Sequence, residues 1–406
     1  MKWIDRPAYM AFLRRHRDRQ VMKVVSGVRR SGKSVLFELF QKELIESGVP
    51  ESQILVINFE DLRYYELRDF QALNQYLESR LLSQETYYIF LDEIQHVEQF
   101  ELVADSLFIK PNVDLYLTGS NARFMSSDLA TNLTGRYVQL EVLPLSFSEY
   151  VSGRESEGLS LPQLFNDYLF SGFPYLLQTE GYRERIEYLQ GLYSTILLND
   201  VLPRAGAASP SLLERIVRTL LSSLGSPIST NKIRNTLLSQ GVRVSNTSLE
   251  GYLDALLDSL LFYAVPRFDV KGRNLLQRME KYYCVDLGFR QLLLPDHQED
   301  LGHMIETIVY LELRRRFSKV YVGNIGKYEV DFIAVTDTGA YQYFQVSLST
   351  FDPQTLEREL RPLRAIADQY PKFLLTLDQI QPEANYEGIQ KKSLIDWLLL
   401  ESETML

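Results

Sequence analysis

Five short apolar runs, at about 21–28, 53–60, 87–92, 113–119 and 137–143, alternate with stretches whose apolar positions recur at helical spacing. Runs of this length predict buried strands. Strands separated by helices predict a parallel sheet covered on both faces. The pattern changes after about residue 160. Aromatic and aliphatic residues at 161–198 keep a helical spacing, broken at Gly172-Phe173-Pro174, where a turn is predicted. A helix is expected to end at 199–204, and the small, proline-bounded stretch 205–210 reads as a linker. Three helices follow at about 211–224, 230–240 and 245–260, then a hairpin-like pair at 261–265 and 268–272. That order predicts a winged helix-turn-helix. The C-terminal third reads as an amphipathic helix at Leu301–Arg316, strands at 327–335 and 341–349, a charged helix at 356–368 kinked at Pro362, a strand at 372–378 and a last helix at 393–400.

Composition narrows the class. The chain has 406 residues, 45% of them hydrophobic and 24% charged, enough for two or three folded domains. A net charge of −10 excludes a general polyanion binder. Two basic runs remain, Arg14, Arg15, Arg17 and Arg19, and Arg314 to Arg316, to be read either as solvated helix faces or as nucleic-acid contacts. The single cysteine, Cys284, excludes an internal disulfide framework and fits a reducing compartment. The N-terminal residues lack an apolar signal core, and no run is long enough to span a bilayer, so a cytoplasmic location without membrane contact is expected. His16, His96, His297 and His303 have no metal-ligand spacing, and no zinc site is expected.

The chemistry concentrates near the N-terminus. "SGVRRSGKSVLF" follows the first strand, with Gly27, Arg29, Arg30, Ser31, Gly32, Lys33 and Ser34 in a glycine-bounded loop that opens a helix. Phosphate oxygens need backbone N–H donors at close range, which the glycines permit; Lys33 adds a cation, and the Ser34 hydroxyl suits Mg²⁺. The third strand ends at Asp92 and Glu93. Asp92 is placed to hold the magnesium through its water shell and Glu93 to deprotonate an attacking water. At the tip of the fourth strand, Ser120 and Asn121 are sensor candidates, or simply a strand-end turn and helix cap. Arg136 begins the fifth strand. It is a candidate for reaching a neighbouring subunit's γ-phosphate, or a surface arginine paired with an acid. Arg204 is read as a helix-end arginine or a nucleotide contact. ATP and Mg²⁺ are the expected ligands.

The five-strand plan, with its acid pair on the third strand, resembles the AAA-type branch of the P-loop ATPases. The resemblance implies that the fourth strand lies between the phosphate-loop strand and the acid-pair strand. "SGVRRSGKS", "FLDEIQHV", "LTGSNA", "LTGRYVQLEVLPLSFSEY" and "YLFSGFPYLL" together resemble a prokaryotic family that pairs such an ATPase with a C-terminal domain of unknown function. The family's motif positions fall on Lys33, Ser34, Asp92, Glu93, Ser120 and Arg136. The same likeness implies that residues 4–9 pack near an adenine. The expected α/β architecture is an AAA-type P-loop core with a five-stranded parallel sheet (1–150), a helical lid (151–207), a winged helix-turn-helix (208–275) and a nuclease-like domain (276–406).

In that last segment, Glu306 on a helix, Asp331 on one strand, and Gln345 and Ser347 two apart on the next resemble the core of restriction-endonuclease-like folds. That chemistry needs carboxylates around a metal and a lysine beside the attacking water. Gln345 stands where an acid is expected and Ser347 where the lysine is expected, so a degenerate, inactive site is predicted. Glu250, Asp254 and Asp258 on the third helix of the winged-helix segment would repel phosphate, against Arg243, Lys271 and Arg273. Three functions follow: an Mg²⁺-dependent ATPase driving rearrangement of the later domains, an ATP-gated protein-interaction scaffold with slow or no turnover, and an ATP-controlled nuclease. The candidate partners are ATP, a second copy of the chain on ATP binding, a protein, and DNA or RNA.

Overall fold

The computed structural model describes residues 3–81, 85–120, 135–205, 209–294 and 301–400. Asn121, His297 and positions 206–208 of the 205–210 linker lie outside these residues. The chain divides into two compact units. One is Asp5–Pro144 with Asp258–Leu260; the other holds Met1–Ile4, Leu145–Leu257 and Leu261–Leu406.

In the first unit, strands β1 (Met22–Ser26), β2 (Ile54–Asn58), β3 (Tyr87–Asp92), β4 (Val113–Gly119) and β5 (Tyr137–Glu141) form one sheet in the order β2-β3-β4-β1-β5. Every pairing is parallel. β4 thus lies between β1 and β3, as the resemblance implied. Side chains alternate across the sheet. Ile89, Leu91, Leu115 and Leu117 face one side, where helices α3 (Phe70–Arg80) and α4 (Phe100–Phe108) bury Leu73, Leu77, Val103 and Leu107. Tyr88, Phe90 and Tyr116 face the other, covered by α1 (Pro7–His16) and α2 (Lys33–Glu46) through Phe12, Leu13, Phe37 and Phe40. Phe90 stacks on Tyr116 at 4.6 Å, and Phe37 meets Phe90 edge-on at 5.1 Å. Burial of each such ring contributes on the order of 1.5–3 kcal/mol. The first two strands stop two residues earlier than the apolar runs suggest. The apolar character continues into Val28 and Phe59, both buried in the loops that leave the sheet.

The second unit begins with helices α5 (Phe147–Gly153), α6 (Leu161–Tyr168) and α7 (Tyr182–Ile196). Helix α7 runs on into a π-helical turn at Leu197–Val201, where the Arg204 guanidinium bonds the Asp200 carbonyl at 2.7 Å. Helices α8 (Pro210–Leu221), α9 (Thr230–Ser239) and α10 (Asn246–Asp258) precede strands β7 (Phe262–Asp269) and β8 (Asn274–Cys284); a two-residue strand β6 (Pro227–Ile228) pairs with β8. The hairpin differs from the expected pair at 261–265 and 268–272. Pro266 does not turn the chain. It sits at a register shift between Val265 and Arg267, and β7 continues past it. The turn comes at 270–273, where Asp269 accepts from the backbone N–H groups of Lys271 and Arg273 and Arg273 takes a positive φ of 50°.

The hairpin does not stand free. β7 pairs in parallel with β9 (Lys319–Ile325), joining a nine-stranded mixed sheet with β10 (Tyr328–Val335), β11 (Tyr341–Ser347), β12 (Lys372–Thr376), β13 (Ala384–Tyr386) and β14 (Ile389–Ser393). Its order is β13-β14-β12-β11-β10-β9-β7-β8-β6. Four helices complete the unit: α11 (Gly288–Leu293), α12 (Leu301–Arg316), α13 (Pro353–Arg364, with Pro362 in its last turn) and α14 (Leu394–Leu399). Helix α12 is not amphipathic, contrary to its sequence pattern; from Met304 to Leu313 every residue is buried. Its polar side chains are consumed internally. Glu312 takes Arg316 at 2.7 Å and Arg315 at 3.3 Å, and Arg314 stacks on Tyr263 at 4.7 Å. The other basic run is paired in the same way, Arg14 with Glu43 at 2.7 Å and Arg17 with Asp18 at 3.2 Å. Among the described residues no helix is long and apolar enough to cross a membrane.

Candidate nucleotide site

The loop after β1 is shaped by two glycines. Gly27 has φ 147°, and a Cβ there would lie 2.2 Å from the Val142 carbonyl oxygen. Gly32, with φ 103°, is the N-cap of α2, so the free N–H groups of the first helical turn point into the loop. The buried Arg6 fixes this loop from outside. Its guanidinium donates to the Ser31 carbonyl at 2.9 Å and to the Leu143 carbonyl at 2.8 Å, and lies over Tyr9 at 4.4 Å. Ser31 is buried, and its hydroxyl has no partner among the described residues. Arg29 pairs with Glu60 at 2.8 Å, and Arg30 is exposed in a left-handed conformation.

Lys33 is buried. Its ammonium donates to the Gly27 carbonyl at 2.8 Å and the Val28 carbonyl at 3.3 Å, and lies 3.5 Å from Glu93. Asp92 ends β3 opposite Asn58, the last residue of β2, and that register lets the Asn58 amide donate to Asp92 at 2.9 Å. The Thr118 and Ser34 hydroxyls also bond Asp92. Burial raises the Asp92 carboxyl above its usual range, with these hydroxyls pulling the other way. The neighbouring Ser34 and Asp92 are hard oxygen donors beside the glycine-bounded loop, a donor set that fits Mg²⁺.

Glu93 adopts a left-handed backbone, φ 55° and ψ 47°, and its N–H donates to Thr118 at 2.9 Å. Burial works against its charge. Lys33 and then the Gln95 amide outweigh burial and hold the carboxyl below the ordinary glutamate value. Ser120 bonds both Glu93 and Gln95. The structure therefore gathers Gly27, Ser31, Gly32, Lys33, Ser34, Asp92, Glu93 and Ser120 at the C-terminal ends of the interior strands β1, β3 and β4.

Arg136 is not among them. Its carbonyl accepts from the Met22 N–H, which places it at the start of β1, roughly 15 Å from the loop at that strand's end. Its guanidinium pairs with Asp105 at 2.6 Å. Sequence reasoning missed Arg6, Asn58, Gln95 and Thr118. Only Thr118 and Gln95 sit within a motif; Arg6 and Asn58 reach the site through tertiary placement.

The structure also brings His96 near carboxylates, which the histidine spacing does not suggest. Donor atoms of Glu60, Glu93 and His96 lie within 4.8 Å of one another. Arg29 and Lys33 already compensate the two acids, so the trio is better read as an ion-pair network than as a metal centre.

Residues 19–151 match the family described as an AAA domain, and residues 162–300 match a domain of unknown function. A protein of Haemophilus influenzae, named only as uncharacterized, is 35% identical over 401 residues, covering 98% of both chains. The chain belongs to the AAA-type P-loop ATPase family. A more distant relative, an uncharacterized protein of Methanocaldococcus jannaschii, is 28% identical over 92% of this chain and 85% of its own. A solved Walker-type ATPase of Pyrococcus abyssi, 18% identical, covers 72% of this AAA-type chain and 96% of its own with a TM-score of 0.52, a likeness of fold.

In the second unit of this AAA-type protein the expected nuclease-like residues are partly assembled. Glu306 accepts from Lys281 at 2.9 Å and Tyr283 at 2.6 Å; Lys281 also donates to Glu329 at 2.8 Å. Asp331 accepts from the Val346 N–H at 2.8 Å, and its own N–H reaches the Gln345 amide oxygen at 3.4 Å. The Gln345 amide donates to Glu359 at 2.9 Å, while Ser347 gives its hydroxyl to the Ser349 carbonyl instead of the cluster. Burial disfavours the Lys281 ammonium, yet Glu306, Asp331 and Glu329 hold it protonated. Burial, and next the Glu306 charge, raise Asp331 well above the carboxylate range. Lys281 was illegible in the sequence because it lies on β8, outside the helix–strand–strand motif.

Proposed function

We propose that the first unit binds Mg²⁺-ATP and hydrolyses it, and that turnover drives rearrangement of the second unit. The observation that supports this most is the convergence of Lys33, Ser34, Asp92 and Glu93 at the C-terminal ends of β1 and β3, with Glu93 held ionised. Gly27, Arg29, Arg30, Ser31 and Gly32 wrap the phosphates with backbone N–H groups. Lys33 exchanges its carbonyl partners for the β- and γ-phosphate oxygens. Ser34 and Asp92 would hold the magnesium, whose charge, when bound, neutralises the β- and γ-oxygens. Glu93 orients a water molecule and takes its proton. The water oxygen bonds the γ-phosphorus, the bond to the β–γ bridging oxygen breaks, and its electron pair leaves with ADP. Ser120 senses the γ-phosphate.

Arg136 is too far from its own loop to take part there, which favours action on a second copy of the chain. A steady-state phosphate-release assay is the test. Glu93→Gln is expected to abolish turnover while ATP still binds; unchanged turnover contradicts the assignment. In the same assay, Arg136→Ala mixed with Lys33→Ala regains activity if the arginine acts between subunits, and stays inactive if it does not.

In the second unit we read 151–207 as the helical lid, 208–275 as a winged helix-turn-helix and 276–406 as a restriction-endonuclease-like fold. Because the hairpin is built into a sheet, this reading favours protein docking over nucleic-acid contact. Glu306, Asp331, Gln345 and Ser347 are read as a degenerate site. The observation that favours inactivity is Lys281, whose ammonium lies between Glu306 and Glu329 and supplies the positive charge a metal would bring. Supercoiled plasmid left intact with Mg²⁺ or Mn²⁺ fits this reading; nicking contradicts it.

A further inference from the structure

Glu93 follows β3 in a left-handed conformation, and the tight 3₁₀ turn Ile94–His96 brings Gln95 back over the pocket edge. There the Gln95 amide nitrogen donates to the Glu93 carboxylate and to the Ser120 hydroxyl at 3.2 Å. This orientation is set by chemistry, because an ionised carboxylate only accepts. The Gln95 amide oxygen is buried with no partner among the described residues. An unsatisfied buried acceptor is costly, a penalty that an apolar filler of the same shape avoids.

We propose that Gln95 is the positioning residue for hydrolysis: it clamps Glu93 to Ser120 and aims the glutamate at the water once the nucleotide is bound. This rests on the ATPase reading above. Lys33 shares the grip on Glu93 at 3.5 Å. A lysine drawn onto phosphate oxygens is drawn off that carboxylate. Gln95 and Ser120 then remain as the hydrogen-bonding side chains that fix it. Because Ser120 is at the tip of β4 and Glu93 at the end of β3, the amide also ties the γ-phosphate sensor to the base.

The consequence separates rate from binding. With Gln95→Ala, kcat is expected to fall about 10–100-fold, a fraction of what general-base catalysis supplies, while affinity for a non-hydrolysed ATP analogue is unchanged. If Gln95→Ala does not fold, Gln95→Met carries the same test with the volume kept. An unchanged kcat, with Glu93→Gln inactive, overturns the role of Gln95 and leaves the site reading intact. A parallel fall in kcat and analogue affinity also overturns it, as it reveals structural support alone. Wild-type turnover that is absent, or insensitive to Glu93→Gln, overturns both.

Discussion

A methyl group on Gly27 would lie 2.2 Å from the Val142 carbonyl oxygen and 2.9 Å from the Ser31 hydroxyl, at a φ of 147° that L-residues rarely adopt. The phosphate loop and the segment after β5 therefore touch backbone to backbone. Gly27→Ala is expected to destabilise the protein by roughly 1–3 kcal/mol, the range of overpacking, and to weaken ATP binding. Gly48 provides the comparison. It also has positive φ, 96°, but nothing lies within 4 Å of its would-be Cβ. Gly48→Ala should cost only its backbone strain. Thermal unfolding of the two variants checks this: Gly27→Ala should melt lower than Gly48→Ala, and equal melting temperatures contradict the contact. At this scale the sequence was legible where a side chain's role is written in its own neighbourhood, as at Lys33, Asp92 and Glu93. It was silent on Asn58, whose value comes from the β2–β3 register, and on Arg6, which reaches Ser31 from 25 positions away.

Elements are held by a few buried polar groups as well as by apolar faces. Asp286, which precedes α11, accepts from the Gly172 N–H at 2.7 Å and the Gly288 N–H at 2.8 Å, so one carboxyl secures both the expected turn at 172–174 and the start of a helix. Burial pushes its pKa up to about 6, against hydrogen bonds that favour the charged form. The unfolded chain releases this proton near the ordinary aspartate value, the folded chain near 6. The folded state therefore gains stability while the proton is held and loses it as pH rises between those two values, on the order of 3 kcal/mol. Urea unfolding of wild type and Asp286→Asn from pH 4 to 7 is the check. The variant should lack the decline, so the stability difference should change up to about pH 6 and then level off; parallel curves contradict the account. Element types were mostly legible, since five apolar runs became five parallel strands. The hairpin was misplaced because Pro266 looks like a turn but is accommodated at an irregularity within β7. Helix α12 was misjudged because Glu312, Arg315 and Arg316 satisfy one another inside the fold, which mimics a polar face in sequence.

At the level of the whole chain, the net charge of −10 and the two basic runs posed a question about nucleic acid. Arg14, Arg17, Arg314, Arg315 and Arg316 engage Glu43, Asp18, Tyr263 and Glu312, which reduces the charge those five offer to phosphates. Arg136 is parked on Asp105, and surface pairs of this kind are worth at most about 1 kcal/mol, so a neighbouring subunit can recruit it at small cost. The nine-stranded sheet was not foreseeable from periodicity. It joins β7 to β9 across 49 intervening positions, and β9 is a short run interrupted by Gly323 and Asn324. Everything functional in the account depends on the loop at 27–34 gripping a triphosphate. The direct measurement is an equilibrium titration of wild type and Lys33→Ala with a fluorescent ATP analogue and Mg²⁺. The variant, folded and melting like wild type, is expected to bind about 10–100-fold more weakly, the worth of a charge-assisted contact. Equal affinity in the two proteins would contradict the account.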